Sequence, residues 1–174
     1  MAIVVEDGTG KADAESYVSV EDAEQYASLY GHEDFGAAAE ADQEAALRRA
    51  TRAIDALYGS RFPGARLNGR AQALQWPRSD AYDADGEEIA SDEIPTEVVS
   101  ATVEFAIREL TEAGSTMPDL ERGGAIRSLK AGSVSIEYAG NATARTVYSI
   151  VDGILATLLT TRNLASFQAE ASRG

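Results

Sequence analysis

Four stretches of the chain carry apolar side chains at the three-to-four-residue spacing of a helix that faces a core, and this period limits the fold more than any other feature. Val20, Ala23, Ala27 and Tyr30 form the first stripe. Ser19 precedes it as a cap with Asp22 in the capping-box place, and Gly31 follows as a stop. Asp42 is positioned to cap a second helix, with Ala46, Leu47, Ala50, Ile54, Leu57 and Tyr58 as its stripe and Gly59 at its end. Pro95 suits the first turn of a third, whose broad face holds Val98, Val99, Thr102, Val103, Phe105, Ala106 and Leu110 before Gly114. Val147, Tyr148, Val151, Leu155, Leu158 and Leu159 make the fourth.

The rest is read as connection. Residues 1–18 form an arm or edge strand around Ile3-Val4-Val5, and His32 to Ala41 a small, acidic loop. Ser60 to Ser91 is crowded with turn signals: Pro63-Gly64, Asn68-Gly69, Trp76-Pro77 and Asp85-Gly86. A loop of that length is unusual inside a compact domain. Phe62, Leu67, Leu74 and Trp76 are expected to pin it, with Trp76 and Pro77 as its anchors. Alternation over Ile126 to Lys130 and Ser133 to Tyr138, with Ala131-Gly132 between, predicts a hairpin. The expected fold is mainly α: a small helical bundle of about four helices with one β-hairpin and a long middle loop. One domain is expected over residues 1–160, with a C-terminal arm over 161–174.

The chain has no cysteine, which excludes disulfides, thiolate metal sites and thiol nucleophiles, and His32 is its one histidine. No apolar run reaches the length of a membrane span, and Met1 to Asp7 lacks the basic and apolar regions of a signal peptide. A soluble protein made in a cytoplasm, without a membrane partner, is expected. Asp83-Ala84-Asp85-Gly86 resembles part of a calcium loop, but Ala81 occupies the place of the first acid, and an Asp-Gly turn explains it. Glu87-Glu88 and Asp92-Glu93 have no companion nucleophile, and Gly69 to Leu74 lacks the end of a phosphate loop. No catalytic residue, metal or cofactor is expected, and the chain is not read as an enzyme.

The net charge of −14 opposes non-specific attraction to nucleic acid, yet the charge is distributed in blocks. Acids dominate residues 1–42 and 79–121, whereas residues 43–78 hold Arg48, Arg49, Arg52, Arg61, Arg66, Arg70 and Arg78 against Glu44 and Asp55. Three readings fit this arginine block: contact with another protein chain, a solvated face, or contact with DNA. In the third, Tyr58, Phe62 and Trp76 would be the interleaved aromatics of a stacking platform.

Ala14-Glu15-Ser16-Tyr17-Val18-Ser19-Val20-Glu21-Asp22-Ala23-Glu24-Gln25-Tyr26 resembles the opening of a phage protein family often labelled DnaT-like single-stranded-DNA-binding, which is similar in structure to the head–tail connector adaptors of tailed bacteriophages. Ala46 to Asp55 continues the resemblance. Its most specific part is Gln72-Ala73-Leu74-Gln75-Trp76-Pro77-Arg78, followed by Asp85-Gly86, Ile94-Pro95, Ala101 to Ala106 and Lys130 to Tyr138. The chain departs from the pattern between the first two helices and near Gly59, where an aromatic such as tryptophan is often seen; those regions carry Phe35 and Phe62 here. The resemblance implies a structural virion protein at the head–tail junction, assembled in the host cytoplasm: a homo-oligomeric adaptor ring, typically of twelve copies. Its partners would be the portal and a tail-side neck or tail-terminator protein, with genomic DNA passing the lumen without specific binding. In that role the seven arginines, together with Arg162 and Phe167 of the C-terminal arm, would contact neighbouring subunits or the portal. The alternative is a single-stranded-DNA-binding module of replication.

Overall fold

A computed structural model describes residues 2–117, 128–131, 134–137 and 148–159. The fold is mainly α, with five helices among the described residues. Helix α1 (Val20–Leu29) opens as the sequence predicts: the Ser19 hydroxyl accepts the Asp22 amide at 3.1 Å and donates to the Asp22 carboxylate at 2.6 Å. A short helix α2 (Glu33–Ala37) occupies the region expected to be a loop, held by the fully buried Phe35. Helix α3 (Glu40–Tyr58) begins two residues before the expected cap. Asp42 therefore lies inside the first turn, where its charge complements the helix dipole. Helix α4 (Thr96–Thr111) has Pro95 at its N-cap rather than in its first turn, and it ends three residues before Gly114. Helix α5 (Ser149–Ile154) is followed by a 3₁₀ turn at Leu155–Thr157.

The pairing of α3 with α4 is the most extensive in the molecule. Ala46, Ala50 and Ala53 give α3 a low ridge, so the two backbones approach closely, and Leu47, Ile54 and Tyr58 fill the space beside Val98, Val103 and Phe105. All nine side chains are fully buried. Each of the larger ones contributes about 1.5–3 kcal/mol relative to exposure. Phe105 packs edge-on against Tyr148 at 4.8 Å between centroids, which ties the start of α5 to this pair.

The middle segment is folded, not structureless. Strand β1 (Ala65–Arg66) pairs antiparallel with β2 (Arg78–Ser79), and β3 (Ala81–Tyr82) pairs antiparallel with β4 (Glu88–Ile89). The late hairpin is present as β5 (Ser128–Ala131) and β6 (Val134–Glu137), so Ala131 ends a strand instead of forming the turn. In the N-terminal arm Val5 bridges to Ser16. The loop between them wraps the buried Glu6 carboxylate, which accepts the amides of Gly8, Gly10 and Lys11 at 2.8–3.1 Å. Gly8 has φ +93°, and a Cβ there would lie 1.9 Å from the Asp92 carbonyl oxygen, so the arm sits directly on the segment leading into α4. No helix among the described residues is long and apolar enough to cross a membrane.

Candidate nucleic-acid interface

The stretch Gln72 to Arg78 folds as a knot of side chains bonded to backbone. The Gln72 side chain is buried. Its amide nitrogen donates to the carbonyls of Leu74 and Pro77, and its oxygen accepts the Asn68 amide. Arg78 is buried too, and its guanidinium donates to the carbonyls of Pro63, Gly64 and Gln75. Trp76 is fully buried, edge-on to Phe62 at 5.6 Å, and Pro77 is buried behind a cis peptide bond. This most distinctive stretch of the sequence is therefore turned inward.

Tyr17 and Asp55 fasten the knot to the helices. The Tyr17 hydroxyl donates to the Asp55 carboxylate and accepts the amides of Gln75 at 3.0 Å and Trp76 at 3.2 Å. Asp55 also accepts the Gln75 amide at 3.1 Å. Burial pushes the Asp55 carboxyl up to about 6, against the opposing pull of Tyr17, the Gln75 amide, and the charges of Arg66 and Arg78. Burial, together with the charge and hydrogen bond of Asp55, raises the Tyr17 hydroxyl well above its usual range.

A groove of about 400 Å³ lies over this node, between the N-terminal arm, α3 and the knot. Glu15, Arg48, Thr51, Arg52, Asp55 and Gln75 supply its polar lining, and Ala56 and Ala73 keep it open. Arg48 bridges Glu15 at 3.0 Å and Glu44 at 3.2 Å, and this contact holds the Glu15 carboxyl below its usual range. Arg52 is exposed on α3 at the groove's edge. Arg66, half-buried on β1, stands opposite Arg78 in register and within electrostatic reach of Asp55. Arg70 is exposed in the turn Gly69–Ala71. Arg52, Arg66 and Arg70 form no ion pair among the described residues.

The arginine block of the sequence is thus not one surface. Arg49 turns to a different side of α3, where it binds the buried Glu109 carboxylate at 2.7 Å and the Glu109 carbonyl at 3.0 Å. Burial would raise the Glu109 carboxyl, but Thr116, the Gly114 and Thr116 amides and Arg49 outweigh it and hold the group low. Arg61 is half-buried in the turn Gly59–Arg61. Tyr58, Phe62 and Trp76, proposed from sequence as a stacking platform, are all buried and present no ring to a base. Arg162 and Phe167 lie outside the described residues, as does the arm over 161–174. Sequence reasoning missed Tyr17, Glu15 and Gln75. Asp55 was legible as one of two acids within the arginine block.

These features define a small, mainly α-helical module with an open groove of mixed charge on one face. The family model described as "Putative DnaT-like ssDNA binding protein" matches residues 1–174, and the chain belongs to that family. No curated protein and no solved structure matches it. The family match overturns the expectation of a head–tail adaptor ring. A family described by single-stranded-DNA binding conflicts with DNA passing a lumen unbound, and with portal and tail proteins as the partners. It favours the alternative, a single-stranded-DNA-binding module, and the net charge of −14 does not by itself exclude that reading. Net charge describes the whole molecule, whereas phosphate contact depends on the few cations at one face.

Proposed function

We propose that this protein binds single-stranded DNA through the sugar–phosphate backbone, with Arg52, Arg66 and Arg70 as the phosphate-contacting groups. The observation that carries this reading is membership, over the whole chain, in a family described by that activity. The arrangement of the arginines supports it. Arg48, Arg49 and Arg78 are committed to carboxylates or carbonyls, whereas Arg52, Arg66 and Arg70 have no ion-pair partner among the described residues. With the block's aromatics buried, bases have no stacking surface there, so binding is weak and indifferent to sequence. In this reading the protein acts by binding and catalyses nothing.

The test is fluorescence anisotropy of a labelled oligo-dT at low salt, with wild type and with Arg52→Ala/Arg66→Ala/Arg70→Ala. Binding that the triple substitution weakens at least tenfold is expected. No change in anisotropy with the wild-type protein at near-millimolar concentration refutes the reading.

A further inference from the structure

A second groove, of about 320 Å³, lies between α1, α4 and α5, lined by Tyr26, Tyr30, Glu97, Glu104, Ile150 and Ile154 among others. Two large apolar side chains of its lining stand open to solvent: Tyr30 is 65% exposed and Ile150 49%. Exposed apolar residues scattered singly need no explanation, but two lining one groove do. Its charge has one sign. Glu97 and Glu104 line it, no base does, and neither α1 nor α5 carries one. Arg108, the basic residue of α4, is directed to the Tyr148 ring at 5.7 Å. Tyr26 and Tyr30 lie with centroids 4.5 Å apart, and the Tyr26 hydroxyl donates to Glu104 at 3.1 Å, which fixes the aromatic wall beside the carboxylate.

Glu97 and Glu104 have no ion pair among the described residues; aromatic faces next to such carboxylates attract an organic cation, and the isoleucines attract an apolar neighbour of that cation. Nucleic acid is repelled by the same acids. We propose that this groove docks a basic, amphipathic segment of a partner protein, seating an arginine or lysine against Tyr30 and Glu97 and an apolar side chain against Ile150 and Ile154. Charge complementarity selects this occupant over DNA and over an acidic segment. The inference is independent of the DNA-binding reading, because the two grooves share no lining residue.

The test uses the full chain and two labelled fourteen-residue peptides of equal arginine content, one amphipathic with leucine and one with every leucine replaced by serine. The leucine peptide is expected to bind at about micromolar to sub-millimolar affinity and at least fivefold more tightly than the serine peptide. Tyr30→Ser and Ile150→Ser should each weaken it about fivefold or more. Leu67→Ser, at an exposed apolar residue away from the groove, should not. Tyr30 and Ile150 are largely exposed, so both variants fold, and unchanged melting curves verify that. Equal affinity for the two peptides, or full affinity in Tyr30→Ser, reduces the effect to bulk charge and overturns the proposal. A self-association that sedimentation shows to be lost in Tyr30→Ser also overturns it, because the occupant is then a second copy.

Discussion

Replacing Tyr17 by phenylalanine removes one oxygen from the node that ties the knot to α3, and its cost depends on pH. The hydroxyl donates to Asp55 and accepts the amides of Gln75 and Trp76. Gln75 keeps the Asp55 carboxylate as acceptor, but the buried Trp76 amide loses the Tyr17 oxygen, at a cost of about 1–2 kcal/mol at any pH. The bond to Asp55 adds more only while the carboxyl is ionised, because a charge-assisted bond is worth about 1.5 kcal/mol beyond a neutral one. Asp55 has its folded value raised to about 6 from 3.8, so it is mostly protonated at pH 5 and mostly ionised at pH 7. A raised carboxyl favours folding below the unfolded value and loses that contribution as pH climbs through the folded one. Removing the hydroxyl, which pulls the value down, raises it further and deepens the loss above pH 6. Tyr17→Phe should therefore destabilise by about 3 kcal/mol at pH 7 and about half that at pH 5. Urea unfolding followed by Trp76 fluorescence reads this directly, because Trp76 is the chain's one tryptophan and is fully buried. Equal destabilisation at both pH values would refute the assignment of the half-buried Asp55 as the acceptor.

Two further substitutions test the seating of the N-terminal arm and the packing of the knot. Gly8→Ala combines a positive φ with a Cβ driven into the Asp92 carbonyl oxygen; a loss of about 3 kcal/mol in urea unfolding is expected, and a loss under 1 would mean the arm is not seated on the segment before α4. Arg78→Ala strips three carbonyls of their donor and should cost about 3 kcal/mol while leaving the affinity of the folded fraction for oligo-dT unchanged, measured well below the melting temperature.

The helices were legible because each writes its core-facing side into the sequence at a fixed period, and Ser19 with Asp22 marks a start that local chemistry determines. Helix α2 escaped because residues 33–37 include one large apolar side chain, Phe35, and one residue shows no period. The register of α3 slipped because Asp42 is as well suited to a first turn as to a cap. The middle segment was harder for a different reason. Its order comes from Tyr17, Asp55, Gln72 and Arg78 reaching backbone groups, some of them nearly sixty residues away, and no local pattern encodes such a bond. The charge blocks misled in the same way. Seven arginines close in sequence do not share a face, because successive positions along α3 point in different directions, so Arg49 meets Glu109 while Arg48 meets Glu15.

A salt titration of oligo-dT binding, for the wild-type chain and for the Arg52, Arg66 and Arg70 triple alanine variant, tests the DNA reading most directly. Three phosphate contacts to a single strand give a slope of log affinity against log salt of about −2, or about a twentyfold loss between 50 and 200 mM, and the triple variant should flatten it towards zero. Absence of wild-type binding at the lowest salt, or the same slope in both proteins, would contradict it.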